Sequence, residues 1–210
     1  MAWDFGAEIH ALTGFDADST SATESAETFQ VHTNKWLTDA AKEVINLLPP
    51  HLLKLCSATR TFTSTATNGE TETLNTGKIL SVFGGEKKAR LISEELKFEA
   101  DSDASIHKAS ETDPVYYIQS NKINVLPEDV ACRYDEVVYP SISYNDVSID
   151  AFPDEAEHLV TLRAAISAAE YQLAIEQDAE LYTPIIQLLK SQYQEGIMAL
   201  KTGNMAQQPQ

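Results

Sequence analysis

Glu155 and His158 stand three residues apart, the spacing that sets a carboxylate and an imidazole on one face of a helix, as a di-iron bundle requires. Such a centre needs a second Glu-x-x-His, and the chain has none, so the pair reads as a helix-start acid followed by a surface or packed histidine. Asp16, Asp18, Thr20 and Glu27 fall at positions one, three, five and twelve of a calcium-binding loop. Position six of that loop must turn sharply and is normally glycine; here it is Ser21, and no amphipathic helix precedes it, so an acidic, capped helix entry is the better reading. Gly77-Lys78 is followed by Ile79 and not by the hydroxyl residue that holds magnesium in a phosphate-binding loop. The nucleophile-elbow, dinucleotide and zinc-protease signatures are also missing.

Cys56 and Cys132 lie far apart in apolar or strand-like surroundings, which points to buried, inert thiols rather than a disulfide framework, a zinc clip or a nucleophile. His10, His32, His51, His107 and His158 have no ligand spacing. Tyr116, Tyr117, Tyr134 and Tyr139 could stack on bases, but the basic companions of such a platform are absent, and strand core or packing surface is expected instead. The chain is therefore expected to be no enzyme and to need no cofactor or metal.

The 210 residues carry 32 acids against 15 bases, a net charge of -17, which repels phosphate backbones and anionic membranes. Sequence-reading nucleic-acid binding is disfavoured on that ground. At 43% hydrophobic the chain can bury a substantial core, and its longest apolar runs fall short of the roughly 18 residues of a membrane helix. Neither a signal peptide nor a membrane span is expected, and the cysteine usage fits a reducing compartment.

The elements that must position these residues follow from periodicity. Residues 1–23 end in small polar residues and read as an extended or loosely ordered arm. Ser21 and Glu24 have capping-box spacing, and Leu37, Ala41, Val44 and Leu48 recur on one helical face, which predicts a helix over 24–48 ended by Pro49-Pro50. Beyond Arg60 the period shortens: Thr61–Thr67, a turn at Asn68-Gly69, Lys78–Phe83, Ala89–Ser93, a hairpin over Val115–Pro127 and Cys132–Tyr139 read as strands, with Glu94–Thr112 as a polar surface loop. Helix returns at Phe152-Pro153 with a stripe at Leu159, Leu162, Ile166, Ala169 and Leu173. A last stripe at Ile186, Leu189, Tyr193, Ile197 and Leu200 marks a helix that starts at Thr183-Pro184 or earlier. The expected class is α+β: a helical bundle from residues 24–58 and 150–203, an inserted antiparallel β-module over 59–149, and a free tail over 204–210.

Three segments carry a resemblance: Trp36–Pro50, the Asp113–Pro127 hairpin, and Phe152–Ile166. Together with the order helix, β-insert, paired helices over most of 24–200, they resemble virion structural proteins of tailed bacteriophages, and in particular head-to-tail connector or adaptor proteins of the neck, including the tail tubular A type. The resemblance implies a homo-oligomeric ring, usually of twelve subunits, assembled in the host cytoplasm and docked under the portal, with tail or nozzle proteins below. Genomic DNA would pass through its lumen without sequence-specific binding, and an acidic lumen would let it slide. The family has no catalytic residues to transfer. The C-terminal tail, with Met205, Gln207, Gln208 and Gln210, is the expected partner-docking element. The same layout would also serve another neck, tail-completion or tail-terminator protein, or a monomeric capsid accessory protein. A small enzyme with an unrecognised site is the reading from a different class.

Overall fold

A computed structural model describes residues 4–16, 26–64, 72–76 and 78–203. The fold is α+β, and the chain divides into two compact units: a helical one from residues 1–56 and 139–210, and a β unit, Ser57–Val138, inserted between its halves.

The helical unit contains α1 (Phe5–Thr13), α2 (Ala26–Leu47), the single turn α3 (Pro50–Leu53), α5 (Asp154–Glu176) and α6 (Ala179–Gly203); α4 lies in the β unit. The expected N-terminal arm is instead ordered over most of its first half. Asp4 caps α1 by accepting from the Ala7 amide at 2.7 Å, Gly14 closes it in the left-handed region at φ 73°, and Phe5, Ile9 and Phe15 are buried. Nine residues give too little periodicity to stand out, and the amphipathic face is evident only once it has something to cover.

In α2 the four-residue stripe is realised: Leu37, Ala41 and Val44 are fully buried and Leu48 nearly so. Pro50 opens α3 at a position where its missing amide costs nothing. The centre of the unit is α5, which packs against α1, α2 and α6. Its apolar face is wider than the sequence stripe: Ala156, Val160, Ala164, Ala165 and Ala168 are also fully buried, while Leu162 and Leu173 are only half-buried. Gln177, left-handed at φ 57°, and Asp178, whose carboxylate accepts from the Leu181 amide at 3.1 Å, turn the chain tightly into α6. That helix therefore starts before Pro184, which sits within it. On α6, Gly196 is required by close approach, since a Cβ there would overlap Leu159 Cδ2.

Residues 139–149 belong with the helices and not with the β unit, which corrects the boundary at 150. Tyr139 donates to Asn46 at 3.0 Å, the Ile142 amide to Thr38 at 3.2 Å and the Tyr144 amide to Asn34 at 2.7 Å. The Phe5 and Gly6 amides in turn donate to the carbonyls of Asp146 and Tyr144. Polar side chains at intervals along α2 thus satisfy a loop that has no ladder of its own.

The β unit has two four-stranded sheets. One has the order β1 (Ser57–Thr63), β8 (Ala131–Val137), β3 (Ile79–Gly84), β4 (Lys87–Lys88); the other β2 (Glu72–Thr73), β7 (Lys122–Leu126), β6 (Val115–Gln119), β5 (Arg90–Leu91). All pairs are antiparallel except β5 with β6, which is parallel, so the module is not wholly antiparallel as expected. Ser120 and Asn121 at φ 51° and 61° make the β6–β7 turn, whose double left-handed geometry matches strand twist. Val82, Cys132 and Tyr134 of the first sheet meet Leu74, Ile123 and Val125 of the second in one core. The segment expected as a surface loop carries a 3₁₀ turn (Glu94–Leu96) and α4 (Lys97–Asp101), and its Ala100 and Ala109 pack with Val115 against the second sheet's other face. Two alanines among acids leave no periodic signal. The calcium-loop positions Asp18 and Thr20, the Ser21–Glu24 box and the Asn68-Gly69 turn lie outside the described residues.

Ile166 is 3% exposed at the middle of α5. Ile166→Ala is expected to destabilise the protein by about 2–5 kcal/mol, and Leu162→Ala by clearly less, as measured by urea unfolding.

Candidate functional site

Among the described residues polar side chains come together in several places, among them one in the helical unit and two in the β unit. In the helical unit, Glu43 on α2 accepts from Arg163 Nε on α5 at 2.8 Å and from the Tyr193 hydroxyl on α6 at 3.1 Å. Arg163 also donates to Ser167 at 3.0 Å, one turn further along α5. Burial and the Glu43 carboxylate push the Tyr193 phenol well above its ordinary range, so it remains a hydrogen-bond donor at neutral pH. The network joins three helices; its chemistry is that of a clamp.

In the β unit, Glu136 is fully buried. Its Oε1 accepts from the Thr76 amide at 2.6 Å and from the Thr76 hydroxyl at 3.2 Å, and Arg60 Nε lies 3.7 Å from Oε2. A buried carboxylate needs such compensation, and here it ties the segment before β3 to β8 and β1. On the opposite face of β8, Asp135 accepts from Ser81 and, at 2.6 Å, from Thr59. Those two hydroxyls hold its carboxyl below the ordinary range, which makes it a weak base, and the Ser81 proton is already committed to it. Arg133, beside them, lies 4.4 Å over the Phe83 ring.

The structure disperses the residues singled out in the sequence. Glu155 and His158 are both exposed on the first turns of α5, and among the described residues no three His, Cys, Asp or Glu side chains form a metal-ligand group. Asp16 follows α1, and the side chain of Glu27 is outside the described set. Cys56 and Cys132 are free and buried, with burial pushing the Cys56 thiol up to about 11 and Cys132 up as well, the reverse of an activated nucleophile. His10, His51 and His107 are exposed, whereas His32 stacks on Trp36 and lies 5.1 Å from the Tyr171 ring. Of the four tyrosines, Tyr134 is core, Tyr116 packs against that core, Tyr117 is half-buried, and Tyr139 lies beyond β8 in the helical unit. The docking candidates Met205, Gln207, Gln208 and Gln210 lie outside the described residues. Sequence reasoning missed Glu43, Arg163, Glu136 and Thr76; the available signal was weak, an acid followed by two apolar residues at 43 and at 136.

Charge divides unevenly between the units. The helical one holds six bases, Lys35, Lys42, Lys54, Arg163, Lys190 and Lys201, against eighteen acids. Among the described residues no helix is long and apolar enough to cross a membrane. No protein-family profile matches the chain, and no curated protein is detectably similar to it.

Glu136→Ala is expected to cost about 1–3 kcal/mol, because it leaves the buried Thr76 donors without their acceptor, and Glu136→Gln less. Thermal denaturation of the two variants checks this. Tyr193→Phe should cost about 0.5–1.5 kcal/mol at neutral pH. A folded-state phenol pKa raised above its unfolded value near 10 stabilises below that pH and ceases to as pH rises through the folded value. The stability gap between wild type and Tyr193→Phe should therefore narrow above about pH 10 in urea titrations.

Proposed function

We propose that this chain is a structural subunit of a tailed-phage virion, a head-to-tail connector that assembles into a ring between portal and tail. The observation that carries the reading is the layout: a mainly β unit inserted between the two halves of a helical unit, entered and left through neighbouring antiparallel strands, Ser57 opposite Val137. That is the order of elements of the connector proteins which Trp36–Pro50, Asp113–Pro127 and Phe152–Ile166 resemble. Two further features fit. The described polar clusters serve structural ends: Glu43, Arg163 and Tyr193 brace three helices, and Glu136 braces strands. The acidic excess of the helical unit suits a wall past which DNA must slide and not stick.

In this reading the helical unit is the rigid part of the ring, the β unit supplies contacts to neighbours or tail, and portal and tail proteins are the partners. Light scattering on the size-exclusion eluate over a range of protein concentrations tests it. A mass near twelve protomers of 23.1 kDa, alone or on mixing with a portal, is the expected outcome. A protomer that stays monomeric under both conditions would move the assignment to a capsid accessory protein.

A further inference from the structure

The two units carry exposed charge of opposite sign, each set around an apolar side chain. In the first sheet, Thr61 on β1 stands opposite Arg133 on β8, Arg133 opposite Phe83 on β3, and Phe83 opposite Lys88 on β4. Directly opposed residues share a face, so these four form one row across all four strands. By alternation it lies on the face turned away from the core of Val82, Cys132 and Tyr134. Thr61, Arg133 and Lys88 are exposed and Phe83 is half-buried, with the Arg133 guanidinium 4.4 Å over its ring. The next acid on that face, Asp135, is engaged by Ser81 and Thr59. The row is thus a phenyl ring between two cations.

In the helical unit, a groove of about 590 Å³ lies at the entry to α5. Its lining includes Asp150, Asp154, Glu155 and Glu157 and no base, and Leu55, 55% exposed, stands among them. Glu157 accepts from the Ile149 amide at 2.7 Å, whereas Asp150, Asp154 and Glu155 are exposed. Among the described residues, none of the ion pairs involves these acids, Lys88 or Arg133. We propose that the row of Lys88, Phe83 and Arg133 docks on this groove of a second copy, with its cations against Asp154 and Glu155 and its ring against Leu55. Charge complementarity selects the occupant, because the row fits an acidic surface with an apolar centre and this chain supplies one. A nucleic-acid backbone would offer Phe83 no apolar partner and would meet the field of a chain at -17. The two patches differ, so the contact is heterologous and passes head to tail from copy to copy, the kind that can close a ring. The inference does not rest on the connector reading, since the contact needs neither portal nor tail protein.

Concentration-dependent light scattering of the full chain tests this, with Lys88→Gln plus Arg133→Gln as one double variant and Asp154→Gln plus Glu155→Gln as the other. Wild type is expected to associate, and more weakly as salt rises. Each double variant alone should associate at least about tenfold more weakly, with the circular dichroism spectrum unchanged. An equimolar mixture of the two keeps one native row and one native groove, on different copies, and should form a heterodimer that grows no further. Misfolded variants would not recover in this way. A wild type that is monomeric throughout, double variants that associate like wild type, or a mixture that stays monomeric overturns the proposal. So does duplex DNA binding by wild type that Lys88→Gln plus Arg133→Gln removes, with no association between copies. A ring that forms normally in both double variants would overturn it while leaving the connector function standing.

Discussion

The helical unit depends on one helix being buried on nearly every side. α5 meets α1, α2 and α6, and its buried residues lie around much of its circumference and not along a single stripe. Alanines at 156, 164, 165, 168 and 169 make this possible, because small side chains let three neighbours approach one axis closely. Gly196 continues the same logic on α6, where its lack of a Cβ admits Leu159. Larger side chains, among them Ile9, Leu37, Ile45 and Leu159, fill the rest of that core and are fully buried.

Polar contacts accompany this core: the buried Thr161 hydroxyl on α5 donates to Glu8 on α1 at 3.0 Å. Glu43, Arg163 and Tyr193 couple α2, α5 and α6 through half-buried side chains. The β unit solves a different problem. Its two sheets close over Val82, Tyr134, Ile123 and Val125, and the buried Glu136 captures the amide and hydroxyl of Thr76 at the entry to β3. A carboxylate so placed contributes specificity of connection more than net stability, since its desolvation offsets much of what its bonds return.

Tyr193 and both thiols are pushed away from ionisation, and Asp135 is held in its ionised form by two hydroxyls. The helical unit is strongly acidic, and the β unit has one seven-residue edge strand, β1, that contains no acidic residue.

The sequence by itself determined the type and order of the longer elements. The stripe of Leu37, Ala41, Val44 and Leu48, the alternation in the Val115–Pro127 hairpin and the prolines at 49, 50 and 153 are local signals, read from chain geometry without knowledge of neighbours. Only the tertiary structure decided that α1 is a helix with buried Phe5 and Ile9, that residues 139–149 follow α2, and that Ala100 and Ala109 cover a sheet. It also decided that Glu43 meets Arg163 across 120 positions of chain and that Glu136 meets Thr76 across 60. Short elements and isolated polar residues acquire meaning from partners distant in sequence, and no local period encodes those partners.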